Sequence, residues 1–437
     1  MISLNNLSVF QMVILGLFIA VLLFGVLVFA GILPGFRQEP VGVAGKIVWW
    51  GTWDEPIIQP LVARLNTENL DKFSLTYVVK PAATLEAELT EALAVGSGPD
   101  LVSLPSSWVI ADGNKFVPMP TEVMSPRQFE DSFINLAAVY QVPDGVLASP
   151  ITFDPLVLYY NKDLLARAGL SRPPATWTQF KLDAEVLTRR DERDNILQSA
   201  AALGLFSNIT HAKDILSLLF IQAGNPIVTA ATNGWAVVLK EDLGIKPPPS
   251  PRAVEFFVQF ADPASRTYSW NRSLPEAADN FVAGRSALYL GYGSEWADLT
   301  ARNPHLSLGV ALVPQRDETG TVTAGRLTGL AITRQAGGRA TAAFAAASAL
   351  SSPAAAGELA RQLGLAPARR DLLAERVTDP VRTIFYRSAV SARGWPDPAP
   401  AATTEIFRRL IEGVVAGRAT AEQAVARAHQ ELVELLP

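Results

Sequence analysis

Catalytic and metal-binding chemistry needs particular residues at particular spacings, and this chain of 437 residues offers few of them. Its histidines, His211, His305 and His429, are far apart and lack metal-ligand spacing, so they read as surface or satisfied polar residues. There is no cysteine, which excludes disulfides, a thiolate nucleophile, thiolate metal sites and a lipidated cysteine anchor. No Gly-x-Ser-x-Gly nucleophile elbow occurs. The run Gly42-Val-Ala-Gly45-Lys46 is not a phosphate-binding loop, because its first glycine is misplaced and Ile47 stands where Ser or Thr is required. Gly291-Tyr-Gly293 ends in Trp296 where a dinucleotide fingerprint needs a third glycine. Carboxylates are plentiful, but no pair is marked as a glycosidase couple. The sequence therefore implies no cofactor, no metal and no enzyme.

Charge narrows the class further. With 37 basic and 42 acidic residues the net charge is −5, and no clustered basic face argues for nucleic acid. Residues 1–36 carry no charged side chain, and Met12 to Leu33 is almost wholly apolar. At ~1.5 Å per residue a helix there is about 33 Å long, enough to cross a hydrocarbon core of ~30 Å. The apolar run exceeds that of an ordinary signal peptide and no basic residue precedes it, so a retained single-pass anchor in the lipid bilayer is expected over a cleaved leader. Arg37 and Lys46 follow the span, which by the positive-inside rule does not favour an external body.

The elements that must position any site alternate. A linker at 37–45 leads to KIVWW (46–50), a buried strand. Ile57, Leu61 and Leu65 then recur at helical spacing, FSLTYVV (73–79) alternates as a strand, and Thr84 is placed to cap a helix carrying Leu85, Leu89 and Leu93 on one face. Gly98-Pro99-Asp100 breaks the chain before LVSL, a third strand. Strand and helix in this order predict a parallel sheet covered by helices, with ligand outside the carboxyl ends of the strands, here 51–55 and 105–108. A second extended region runs from 146 to 160, followed by helices near 162–169 and 176–190, the latter with Thr176 and Gln179 as a capping box. Further strands are predicted at SALYLGYG, at 308–313 and at 327–332. An alanine-rich helix follows at 336–349. The chain closes with helices near 400–413 and 420–435, the last capped by Thr420 and Gln423.

The order of the segments is more specific than any one of them. Trp-Gly-x-Trp-Asp ends the first strand. GSGPDLVSL, DGNKFVPMP, SPITFDPLVLYYNKDLLARAGLSRPPATWTQF, FVAGRSALYLGYGSEW and GLAPARRDLL follow in turn. Together they resemble the extracellular solute-binding protein family of ABC importers, in the branch containing maltose-binding protein, over about 45–436. The resemblance implies a bilobed periplasmic-binding-protein-like fold of type II, two α/β lobes joined by hinge crossings, here preceded by an N-terminal transmembrane helix. It implies crossings near 149–152, 323–327 and 366–368, lobe one at 45–149 plus 325–366, and lobe two at 150–324 plus 367–437. Such lobes close about a hinge on ligand.

The resemblance also implies a cleft lined by rings with polar edges. Trp53 and Asp54 match the first ligand loop, and Trp108 follows the third strand. Asp154 sits just after a crossing. Tyr160 is expected against a sugar face, and Trp296 with Tyr292 at a ring-stacking position. Trp395 lies near another aromatic position. Tyr160 and Trp296 are expected to face one cleft, with Tyr159 turned into the core. Asn161 reads as a helix cap, Trp177 as helix-start packing.

The function implied is capture of a small solute, expected to be a carbohydrate, for an ABC permease, with the tethered body on the extracytoplasmic side of the cell membrane, where solute is met. A tether would raise the effective concentration beside that permease. The alternative is a sensor that presents bound solute to a signalling partner, and a surface glycosidase is a third reading.

Overall fold

The structure, a computed structural model, describes residue 22 and residues 45–436, apart from 233, 242–243, 245–247 and 318–319. Among the described residues no helix is long and apolar enough to cross a membrane. The span expected at 12–33 lies, except for Leu22, outside them.

Strand β1 (Gly45–Gly51) pairs in parallel with β2 (Phe73–Val79) and β3 (Leu101–Pro105). Helices α1 (Glu55–Glu68) and α2 (Leu85–Ala94) connect them. The alternation in β2 is literal: Phe73, Leu75 and Tyr77 are buried while Ser74 and Thr76 are exposed, so one face enters the core. α1 turns Ile58, Leu61, Val62 and Leu65 onto that face. Trp49 is fully buried there, and its indole N–H donates to Ser103 Oγ at 3.1 Å, which satisfies its one polar atom.

The second unit is built on the long strand β4 (Ser149–Asn161). It is followed by α3 (Lys162–Arg167), α4 (Trp177–Leu187), β5 (Ile196–Ala201), α5 (Ala212–Gln222), β6 (Ser286–Tyr292), α6 (Trp296–Arg302) and β7 (Leu308–Leu312). β8 (Gly325–Thr333) returns toward β3, helices α7 (Ala340–Leu350) and α8 (Pro353–Leu363) cover the first unit, and the two-residue strand β9 (Ala366–Pro367) pairs with β4. Helices α9 (Pro380–Val390), α10 (Pro400–Val415) and α11 (Ala421–Val433) complete the second unit.

One ladder runs through both units in the order β2-β1-β3-β8-β4-β6-β5. Its middle pair, β8 and β4, is antiparallel, and each strand bonds a different unit on its outer edge: β8 to β3, β4 to β6. The result is the bilobed α/β arrangement expected. Ile47, Trp49, Leu61, Phe73, Leu330 and the α7 alanines Ala343, Ala346 and Ala347 form a core of their own in the first lobe.

The helix caps are mostly where local chemistry puts them. Asn161 Oδ1 accepts from the backbone N–H of Asp163 and Leu164. Thr420 and Gln423 form a complete capping box. Thr176 accepts from Gln179 N, but Gln179 turns its amide to Asp183 instead of closing the box. Thr84 makes no cap bond, because its hydroxyl points to Glu88.

Candidate ligand cleft

Register fixes where the lobes meet. Thr328 on β8 pairs with Pro105, the last residue of β3, and two residues earlier Arg326 pairs with Asp154. One residue beyond that rung, Pro155 of β4 pairs with Gly325, and the next residue, Leu156, pairs with Tyr292, the last residue of β6. The Arg326–Asp154 rung therefore lies between the carboxyl end of β3 in one lobe and that of β6 in the other, the edge at which open α/β sheets hold ligand.

Side chains from four elements converge on this rung. Both Asp154 oxygens accept from Ser294, one from its backbone N–H at 2.9 Å and one from its hydroxyl at 2.6 Å. Burial pushes the Asp154 carboxyl up to about 6, against the Ser294 bonds and Arg326, which favour its charged form. The Arg326 guanidinium lies over the Tyr292 ring, 3.8 Å from its centroid, and Nη2 donates to Asp214 at 3.3 Å. Behind them His211 Nε2 is 2.7 Å from Glu295, which also accepts from the Tyr289 hydroxyl at 2.5 Å and the Tyr292 backbone N–H at 2.6 Å. Burial opposes the charge on Glu295, but these donors hold its carboxyl below the ordinary value. Among the described residues no group of three or more His, Asp or Glu side chains is arranged to hold a metal ion.

Trp296 opens α6 beside this cluster. It is half-buried and stacks on Tyr159 with centroids 6.2 Å apart. The Tyr159 hydroxyl donates to the Tyr292 carbonyl at 2.7 Å, and its ring is fully buried. Tyr160 is placed elsewhere, so it and Trp296 do not face one cleft. It pairs with Leu288 and Gly309, four residues along β4 from the carboxyl edge of β6, and its ring lies over Gly309. Successive strand residues point to opposite faces. Because Tyr159 shares the Trp296 face, Tyr160 cannot.

Three other expected rings are used in packing. Trp108 is 8 % exposed and sits in the main core, leaving Ser106 and Ser107 as the more accessible residues at the end of β3. Tyr292 is 3 % exposed, covered by Arg326 on its face and met edge-on by His211 at 4.9 Å, so it supports the guanidinium and has no face left for a ligand. Trp395 stacks on Phe407 at 6.0 Å, and the Lys213 ammonium lies over it at 5.6 Å.

In the first lobe, Trp53 is half-buried, and the Tyr77 hydroxyl both accepts from its N–H at 2.9 Å and donates to its carbonyl at 2.7 Å, which fixes the loop after β1. Asp54 is exposed at the head of α1 and spends no carboxylate oxygen on capping it. Asp214, Glu295 and Arg326 were not singled out from the sequence, and His211, read there as a surface or satisfied polar residue, is buried against Glu295. Glu295, one residue before Trp296 in the GSEW run, was the nearest to a signal.

The pattern of the bacterial extracellular solute-binding protein family matches residues 61–382. The chain belongs to that family. Its members are solute-binding proteins, not enzymes. A binding protein of Brucella abortus is 31% identical over 112 residues, which is 25% of this chain and 27% of that protein; the chain thus matches about a quarter of the length of such curated relatives. Solved solute-binding structures align along nearly the whole length. The cyclic alpha-maltosyl-1,6-maltose binding protein from Arthrobacter globiformis superposes with TM-score 0.75 at 17% identity, covering 90% of this chain and 99% of that one. The sugar-binding protein MalE from Xanthomonas citri gives 0.71 at 18%, covering 89% and 97%. A cyclo/maltodextrin-binding protein complexed with maltotetraose gives 0.71 at 18%, covering 91% and 98%. At these identities the likeness establishes the shared fold.

Proposed function

We propose that this solute-binding protein captures a sugar or oligosaccharide between its lobes and delivers it to an ABC importer, tethered through residues 12–33 with its body on the extracytoplasmic side. The observation that carries the reading is the site itself. A half-buried Trp296 opens its helix two residues after Ser294, whose backbone N–H and hydroxyl both bond Asp154, the rung partner of Arg326 at the edge where both lobes end their strands. A ring face plus convergent polar groups suits a sugar, which has apolar C–H faces and hydroxyl edges. Trp53 and Asp54 are assigned to the opposing wall. Structural relatives that bind cyclic alpha-maltosyl-1,6-maltose and maltotetraose support the choice of class. Lobe one is assigned to 45–149 plus 325–366 and lobe two to 150–324 plus 367–437.

The test is calorimetric titration of the full chain with a panel of neutral oligosaccharides that includes maltotetraose, followed by product analysis. Saturable binding without turnover supports the reading. Multiple-turnover hydrolysis abolished by changing one carboxylate, or no binding across the panel, overturns it.

A further inference from the structure

His211 stands at the head of α5, and its two ring nitrogens are placed unequally. Nε2 lies 2.7 Å from Glu295, whose oxygens also accept from the Tyr289 hydroxyl and the Tyr292 backbone N–H. Those donors favour the charged carboxylate, so Nε2 carries the hydrogen of a neutral imidazole. Nδ1 is then a lone pair. It is buried, has no hydrogen-bond partner, and faces Asp214 Oδ2 at 3.9 Å. A lone pair opposite a carboxylate gains nothing, whereas an N–H there would make a charge-assisted bond. Arg326 Nη2 reaches the same Oδ2 atom from β8, at 3.3 Å. One oxygen thus stands between an imidazole of the second lobe and a guanidinium on the interlobe strand, and neither contact has closed to the usual bonding distance.

We infer that His211 is a positioning residue operated by a proton: on gaining one at Nδ1 it draws Asp214 Oδ2 away from Arg326, loosens the guanidinium from α5, and lowers the affinity for solute as the medium turns acid. The imidazolium has an N–H for each flanking carboxylate, Glu295 on one side and Asp214 on the other. Closing the second contact to bonding length moves the Asp214 carboxylate about 1 Å toward the ring, which lengthens a bond to Arg326 that is already long. The new charge also repels the guanidinium. Other titratable groups around the ring have partners or environments of their own. Tyr292 meets it edge-on at 4.9 Å and Tyr289 lies 6.5 Å away, and burial pushes both hydroxyls up, further from ionising. Glu276 accepts from the Thr210 N–H and hydroxyl, and Lys213 is turned to Asp397. Asp154, the rung partner of Arg326 on β4, is raised to about 6 by burial and changes charge in the range where imidazole does, so the test must separate the two. Arg326 stands on the rung where the lobes meet, and its hold on α5 sets the geometry of the cleft edge. The affinity change rests on the solute-binding reading above; the exchange of partners at Asp214 belongs to the empty protein.

The test follows the histidine ring nitrogens and the Arg326 Nε–H by nitrogen-15 NMR in the empty full chain from about pH 8 to about pH 5, the range in which imidazole changes charge. Wild type, His211→Gln, Asp214→Asn and Asp154→Asn are compared, and each is titrated with maltotetraose over the same range. In wild type the Arg326 signal should move together with the His211 nitrogens, and affinity should fall about fivefold or more toward the acid end. Glutamine keeps an amide N–H for Glu295 but takes no proton, so His211→Gln should lose both dependences. In Asp214→Asn the histidine should still take its proton while Arg326 no longer follows it. In Asp154→Asn Arg326 should still follow. An Arg326 signal that ignores His211 in wild type overturns the inference and leaves solute capture standing. So does a pH dependence of affinity that survives in full in His211→Gln, or one that Asp154→Asn alone removes. Where His211→Gln does not fold, Asp214→Asn decides, and Arg326 still tracking His211 there overturns the inference. If Arg326 follows His211 but wild type binds no maltotetraose at any pH, the exchange at Asp214 is supported and the sugar reading fails.

Discussion

The guanidinium of Arg326 lies over the ring of Tyr292, 3.8 Å from its centroid, although the two residues stand on different strands that are not neighbours in the sheet. β4 separates β8 from β6, so the contact exists only because both residues lie at the edge where the lobes meet. Tyr292 is thereby a floor beneath the charged group of the cleft.

Trp296 and Tyr160 should behave oppositely. Trp296→Ala removes a half-buried ring beside the cleft cluster, and central aromatic contacts commonly carry about 2 kcal/mol of binding, roughly thirtyfold in affinity. Tyr160→Ala lies four residues up β4 and should leave affinity within about twofold of wild type, a surface-sized change. Titration with maltotetraose separates them, and equal losses would contradict the placement of Tyr160.

Asp154 should impose a pH dependence on stability. Its carboxyl is raised from 3.8 to about 6, chiefly by burial, so the folded protein holds that proton more tightly than the unfolded chain. The contribution is greatest below about pH 4, is lost as pH rises to about 6, and is level above that. Glu295, held below its ordinary value, contributes the opposite slope: its stability is present at higher pH and lost as pH falls through the lowered value. Urea midpoints of wild type and Asp154→Asn between pH 4 and 7 should show the variant gaining on wild type, on the order of 1–2 kcal/mol. A constant gap would mean that Asp154 titrates normally.

Gly325→Ala should disturb the rung itself. A Cβ there would meet the Asp154 carbonyl oxygen at 2.4 Å and the Phe153 ring at 2.4 Å, and backbone cannot yield as a side-chain tip can. A stability loss of about 1–3 kcal/mol is expected with weaker sugar binding. Denaturation and titration of the same preparation check both.

Lys213→Met should act on the second lobe. The ammonium is bonded to Asp397 and Thr403, each at 2.6 Å, and Asp397 is buried. Removing the cation strands a buried carboxylate, costing about 3–5 kcal/mol. Asp397→Asn added to Lys213→Met should return part of that loss in urea titrations.

If residues 12–33 anchor the chain, native protein will sediment with membranes and resist extraction by high salt. Release of a soluble body beginning at Gly31, just after the small-x-small run Val28-Phe29-Ala30, would instead show cleavage.

Local chemistry was legible in the sequence because it involves residues a few positions apart. The caps at Asn161 and at Thr420 with Gln423, the alternation of Phe73, Leu75 and Tyr77, and the strand–helix order of the first lobe all depend on neighbours along the chain. Even here competition intervened: Thr84 preferred Glu88 to its own helix end. Alternation also implied that Tyr159 and Tyr160 face opposite ways, but which of them meets Trp296 depends on how β4 pairs with β6 and on where α6 begins. Burial of Tyr292 and Trp108 was equally invisible, because a ring at a strand end looks the same in sequence whether a neighbour covers it or solvent does. The cluster of Asp154, His211, Asp214, Glu295 and Arg326 was furthest from reach. Its members come from separate strands, a helix start and a turn, and only the antiparallel crossing of β4 and β8 brings those segments to one edge.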